Sequence, residues 1–202
     1  MSLLLINISK QRTKERHNTG MKDLSLYVLD LVQNSLRAEA KYVSILVKDS
    51  ISKDLLEIII EDNGHGMDSE LLAKVTNPFV TTRTTREFGM GIPFFQMAAQ
   101  LSGGTFQIDS TLGHGTTLRG VFVRSHINIL PLGDMTETMV TLIQGAPDVD
   151  FLYCYETDSQ LLKFDTKEIR EILEDVPLNM PDVLGWIRDY LKELKLFIEP
   201  GH

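Results

Sequence analysis

This sequence predicts an α/β protein, a two-layer sandwich in which a mixed β-sheet carries helices on one face. Three observations carry that expectation. Apolar residues recur at helical spacing in some segments and form short strand-like runs in others. Read along the chain, these segments fall in the order helix, strand, strand, helix, loop, helix, strand, strand, which packs as two layers. Of the 202 residues, 43% are hydrophobic and 24% charged, enough apolar material for one core with a small appendage and too much for a disordered chain.

Residues 1–20 have no clear period and read as a basic arm, with Lys10, Arg12, Lys14 and Arg16 against Glu15. A helix is expected over about 21–38. Its Leu24, Val28, Leu29, Leu31, Val32 and Leu36 form a wide apolar stripe. Asp30, Asn34 and Arg37, at i, i+4 and i+7, share the narrow opposite face. Residues 42–47 and 55–60 read as strands around a turn at 49–53. Asp68 is placed to cap a short helix ending at Val75. Residues 77–89 form a loop rich in Thr and Arg, and a helix follows over 91–101 with Pro93 in its tolerant first turn. Gly103-Gly104 ends that helix, and strands over about 105–110 and 116–124 come next.

A change of composition at 131–133 suggests a boundary. The expected organisation is the arm (1–20), a principal domain (21–129) and a small acidic α+β extension (130–202). The extension reads as a helix over 135–144, strands over 149–155 and 160–164, a helix opened by Asp165 with Glu168, and a last helix from Pro181. In that last helix Val183, Ile187, Tyr190, Leu191 and Leu194 make an amphipathic stripe, which usually faces its own core and, if exposed, would be a docking surface.

The net charge of −8 argues against broad nucleic-acid binding, and residues 130–202 hold 15 acidic against 6 basic side chains. Cys154 is the sole cysteine, so no internal disulfide forms, and its apolar surroundings suggest a buried, inert thiol. No apolar stretch is long enough to span a bilayer, and residues 3–6 are too short for a signal-peptide core. A cytoplasmic protein without membrane contact is expected.

Four short motifs occur in order: Asp30-x-x-x-Asn34-Ser35, Asp62-x-Gly64-x-Gly66, Gly89-Met90-Gly91 and Gly113-His114-Gly115-Thr116. Singly they say little, since a lone Asn usually sits on a solvated helix face and Asn63-Gly64 is also a turn signal. Together they resemble the asparagine box and three glycine boxes of the gyrase, heat-shock chaperone, histidine kinase and MutL superfamily, with its Bergerat-type nucleotide site. The stretch 31–38 is similar to the asparagine box of MutL and chaperone ATPases. The stretch 77–83 is similar to the lid of nitrogen-regulatory-type histidine kinases. The resemblance covers about residues 21–124.

The resemblance implies binding of ATP with Mg²⁺. Asn34 would offer Mg²⁺ an amide oxygen from a rigid helix, suited to an ion that takes few protein ligands beside phosphates. Asp62 would accept a hydrogen bond from the exocyclic amine of adenine, which both satisfies a carboxylate that is costly to bury unpaired and selects ATP over GTP. Gly64 and Gly66 would let the backbone approach the base, and Thr116 would support the adenine contact. Gly89, Met90 and Gly91 would present helix-start N–H groups to phosphate, although many relatives have a further glycine where this chain has Glu87. Arg37, Arg83 and Arg86 would reach phosphate oxygens, for which the planar guanidinium fork is suited, and Thr82 of the lid would join the same nucleotide site. Asp30 stands where ATP-hydrolysing relatives and anti-sigma kinases carry Glu and many histidine kinases carry Asn. It would polarise a water or a substrate hydroxyl, or hold a Mg²⁺-bound water, and the sequence does not choose.

His17 lies only 17 residues before Asn34, and no phosphoacceptor hairpin fits in 1–20, so phosphorylation on such a hairpin is not expected. No His/Cys spacing suits a metal site. Three functions are compatible with the resemblance. The preferred one is a signalling kinase acting on His, Ser or Thr of a separate, unspecified protein. The second is a slow ATPase switch of the MutL or chaperone kind, with Lys163 or Lys167 reaching the γ-phosphate. The third is an ATP sensor that presents helix 181–196. A homodimer is left open.

Overall fold

The alternation of apolar runs and turn residues is realised in helices and strands close to those expected. The computed structural model describes residues 21–75 and 91–198. The expected arm and the lid residues Thr82, Arg83, Arg86, Gly89 and Met90 lie outside them. Among the described residues the chain forms α1 (Leu24–Arg37), β1 (Tyr42–Ser50), β2 (Leu55–Asp62), α2 (Ser69–Val75), α3 (Gly91–Leu101), β3 (Thr105–Thr111), β4 (Gly115–Val123), α4 (Met135–Gly145), β5 (Asp150–Thr157), β6 (Leu161–Asp165), α5 (Thr166–Leu173) and α6 (Pro181–Ile198).

The six strands make one sheet in the order β3-β4-β2-β1-β5-β6. It is mixed, as expected: β1 and β5 run parallel, with Ile45 opposite Tyr153, and the other neighbours are antiparallel. The strands of the extension thus continue the principal sheet through β1. On one face Val43, Ile45 and Val47, Ile58 and Ile60, Phe122, Phe151 and Phe164 are buried under the helices. The opposite face alternates half-buried and exposed side chains, among them Ser44, Leu46, Glu57, Ile59, Arg119 and Lys163. Phe95 of α3 meets Phe106 and Phe122 edge-on and lies near Tyr27, which locks α3 between α1 and the β3–β4 hairpin.

Several boundaries differ from the sequence reading, each for a physical reason. α1 begins at Leu24 because Asp23 caps it, accepting from the Leu26 N–H at 3.1 Å. The next orphan donors, Leu24 N and Ser25 N, find the carbonyls of Pro131 and Leu132 at 2.9 and 2.8 Å, so the segment read as a boundary is fastened to the start of α1. β1 stays extended through Ser50, where a turn was expected from 49, because Asp49 and Ser50 still pair with Leu56 and Leu55. The Asp49 carboxylate has partners there: the Arg124 guanidinium, and the Tyr155 hydroxyl at 3.1 Å. Asp165 caps α5 through the Lys167 N–H at 2.9 Å, whereas Glu168 turns to Lys163 at 2.6 Å and not back to the cap. In α6, Leu184, Ile187 and Leu191 are 6%, 0% and 1% exposed, so its stripe packs on the protein's own core.

Candidate functional site

The site is built along α1. Its wide apolar stripe fixes which way the helix faces, and Ser35 is carried inward with that stripe, 3% exposed. A buried hydroxyl needs a partner, and Ser35 Oγ donates to Asp62 Oδ2 at 2.6 Å. Asp62 ends β2, 8% exposed, and its Oδ1 accepts the Gly64 N–H at 2.9 Å. An ionised carboxylate has about four lone-pair sites, so these two bonds orient the group and leave acceptor capacity.

Thr116 lies opposite Asp62 on β4, and Ser110 lies opposite Thr116 on β3. Ser110 Oγ accepts the Met67 N–H at 2.8 Å and donates to the Gly115 carbonyl at 3.0 Å. With its proton so used, Ser110 is the acceptor in the 2.9 Å contact between the two hydroxyls, and Thr116 is the donor. The lone pairs of Thr116 stay available beside Asp62.

The glycines of the loop and the hairpin act on each other. A Cβ on Gly66, at φ +63°, would lie 2.1 Å from the Thr111 carbonyl oxygen, and one on Gly115, at φ +100°, 1.9 Å from that of Asp62. A Cβ on Gly64 would meet the Ala38 carbonyl at 2.7 Å. A side chain at Gly64 or Gly66 would thus meet protein atoms, and these glycines let the loop close against α1 and the hairpin. The His65 N–H donates to the Ala38 carbonyl at 2.9 Å, and the Gly113 N–H to the His65 carbonyl at 2.7 Å, which fixes the same three segments.

On the polar face of α1, Asp30 and Asn34 are half-buried and Arg37 is exposed. The Asp30 carboxylate lies against the first residue of α3: a Cβ on Gly91 would fall 2.1 Å from its Oδ2. A helix start favours an anion. Asn34 Oδ1 accepts from Arg37 Nη1 at 2.7 Å, while Asn34 Nδ2 is buried without a hydrogen-bond partner among the described residues. The oxygen of Asn34 is therefore already met by a cationic group, and a neutral amide oxygen is of the donor type that Mg²⁺ takes.

Of the expected residues, the structure gathers Asp30, Asn34, Arg37, Asp62, Gly64, Gly66, Gly91 and Thr116 around α1, the end of β2 and the hairpin, while Thr82, Arg83, Gly89 and Met90 fall outside the described residues. Ser110 was not singled out in the sequence, and Ser35 was quoted only as part of its motif. The signal for Ser35 was its place four residues after Leu31 on the buried stripe; that for Ser110 needed the strand register. Lys163 and Lys167 lie toward the other edge of the sheet and are engaged, Lys163 with Glu168 at 2.6 Å and Lys167 over the Tyr42 ring at 4.7 Å. Cys154 is half-buried rather than fully buried, and burial still pushes its thiol pKa up. Among the described residues no group of three or more His, Cys, Asp or Glu is placed to hold a metal ion.

The fold is thus a two-layer α/β domain with an oriented carboxylate at a strand end beside a polar helix face. The family profile of histidine kinase-, DNA gyrase B- and HSP90-like ATPases matches residues 21–126, over half of the chain, and the chain belongs to that family. It is 32% identical over 119 residues to the histidine protein kinase DivJ of Caulobacter vibrioides, covering 57% of this chain and 19% of that protein. It is 40% identical over 58 residues to the sensor protein kinase FleS of Pseudomonas aeruginosa, covering 29% of this chain and 14% of that one. The chain thus spans less than a fifth of the length of these curated relatives. Among solved structures, the ADP-complexed ATPase domain of Aquifex aeolicus MutL aligns with a TM-score of 0.46 and 15% identity over 77% of this chain and 70% of that one. Among the described residues no helix is long and apolar enough to cross a membrane.

Proposed function

We propose that this protein binds ATP with Mg²⁺ and transfers the γ-phosphoryl group to a separate signalling protein. The observation that carries the reading is the common origin of two half-sites on one helix. Ser35 of α1 orients the Asp62 carboxylate at 2.6 Å, and Asp30 and Asn34 stand on the neighbouring face of the same helix. A rigid α1 thereby sets the distance between a group that would read adenine and groups that would meet the phosphates.

In this reading Asp62 accepts from the adenine amine, with Thr116 beside it. Asn34 Oδ1 would hold Mg²⁺, which neutralises charge on the phosphate oxygens when bound. Phosphoryl transfer needs mainly positioning and charge stabilisation. The N-terminus of α3 and Arg37 are the described groups that could supply the latter. Asp30 would accept the proton of the attacking hydroxyl or orient a water. The kinase relatives and the family membership support the class, and the kinase-like stretch 77–83 supports transfer over hydrolysis.

A slow ATPase switch is the second reading, favoured by the carboxylate at position 30. Against it, Lys163 and Lys167 are engaged by Glu168 and Tyr42. The test follows γ-labelled ATP with Mg²⁺ and the purified chain, wild type beside Asp30→Asn and Asn34→Ala. The expected result is ATP that binds in an Asn34-dependent manner and stays intact until a protein acceptor is added. Free phosphate that requires both Asp30 and Asn34 would establish the ATPase instead.

A further inference from the structure

We infer that Arg37 is a built-in substitute for the metal: its guanidinium takes the cation position on Asn34 Oδ1 and is exchanged for Mg²⁺ on loading. The inference rests on the Mg²⁺–ATP reading above.

Three observations lead to it. Arg37 Nη1 donates to Asn34 Oδ1 at 2.7 Å, one helical turn along α1. A guanidinium has donors only, so the atom that faces it is the amide oxygen and not the nitrogen. That oxygen is the atom through which an amide would ligate Mg²⁺. The other half of the same amide, Nδ2, is a buried donor with no partner among the described residues, which an acceptor such as a phosphate oxygen beside the metal would complete. Arg37 itself is exposed, so it can leave without breaking the core.

The two cations exclude each other. An amide oxygen has two lone pairs, but a guanidinium and a divalent ion that share one oxygen lie close enough to repel strongly. Arg37 therefore holds the Asn34 side chain in one orientation and places positive charge next to the expected phosphate region. On loading, Mg²⁺ takes the oxygen and Arg37 is released. Nucleotide affinity should in consequence depend less on Mg²⁺ in this protein than it would without Arg37, because Arg37 does part of the metal's work when the metal is missing.

The test is calorimetric titration of the full chain with ADP, in saturating Mg²⁺ and in EDTA, for wild type, Arg37→Ala, Arg37→Lys, Asn34→Ala and the Asn34→Ala/Arg37→Ala pair. The quantity read is the ratio of the two affinities, and a thermal melt of each variant confirms folding. Arg37→Ala should raise the Mg²⁺ enhancement about fivefold, the size of one ordinary hydrogen bond. Arg37→Lys should stay near wild type. In the Asn34→Ala background the further change Arg37→Ala should alter the ratio less than it does in wild type, since the exchange acts through Asn34. An enhancement that is unchanged or smaller in Arg37→Ala, with ADP still bound in an Asn34-dependent way, overturns the substitution and leaves the proposed function standing. Absence of ADP binding by the folded wild type overturns both.

Discussion

At the scale of single residues, Ser35 is the test of whether Asp62 is held in place or merely lies at a strand end. Ser35→Ala removes the 2.6 Å donor from a carboxylate that is 8% exposed, leaving Gly64 N as its hydrogen-bond donor among the described residues. The expected loss is about 1–3 kcal/mol of stability, the cost of leaving a buried acceptor short of its partner. Urea denaturation of the two proteins measures it, and equal stability would mean that water replaces the hydroxyl without cost. Gly91 tests the other end of the polar face. A Cβ there lies 2.1 Å from Asp30 Oδ2, which is the end of a flexible side chain, so Asp30 can rotate away. Gly91→Ala should cost under about 1 kcal/mol alone, but should couple with Asp30→Ala by about 0.5–1 kcal/mol in a double-mutant cycle. Simple additivity in that cycle would show that the carboxylate does not lean on the start of α3. These two sites also mark how far the sequence could be read. Asp30, Asn34 and Asp62 could be singled out as candidates because four motifs in order resemble those of a known family, although each motif alone says little. The donors that orient Asp62, and the hydroxyl pair of Ser110 and Thr116, depend on helix rotation and on strand register, which residue types alone do not encode.

At the scale of elements, the turns at the far end of the sheet are tied by one carboxylate. Asp158, in the β5–β6 turn, accepts from Ser50 Oγ at 2.6 Å, Ser52 N at 2.8 Å and Ser52 Oγ at 2.9 Å, so it clamps the β1–β2 turn. Those donors hold its pKa down to about 2. A carboxylate with a lowered folded pKa adds stability that is present above its unfolded value, about 3.9, and is lost as the pH falls through the folded value. Wild type should therefore be more stable than Asp158→Ala at neutral pH, with the gap shrinking below about pH 4 and closing near the folded pKa of about 2. Urea midpoints from about pH 7 down to about pH 2.5 measure this, and a gap that does not change with pH would mean that the serines bind the protonated acid equally well. Apolar periodicity located the helices and strands because each buries one face. It misplaced the end of β1, since Asp49 and Ser50 look like turn residues until Arg124, Tyr155 and Asp158 arrive from distant segments to satisfy them.

At the scale of the whole molecule, the parallel pairing of β1 with β5 could not be read from periodicity, which identifies a strand but not its partner. That pairing sets the energetic relation between residues 21–129 and the extension. β1 is central, with β2 on one side and β5 on the other, and the carbonyls of Pro131 and Leu132 complete the start of α1. Removal of the extension would turn β1 into an edge strand beside an uncovered apolar surface, a combination that invites aggregation. The two parts should consequently unfold together. Trp186, the sole tryptophan, lies on α6 and stacks on Tyr190 with ring centroids 5.2 Å apart, so its fluorescence reports on the extension. Far-UV circular dichroism reports on the whole chain. In urea, both signals should change in one transition with a common midpoint, as a two-state domain requires. A tryptophan transition at clearly lower urea would mean that β5, β6 and α6 detach while the rest of the sheet persists, and that the hydrogen bonds across the β1–β5 seam join two units of separate stability.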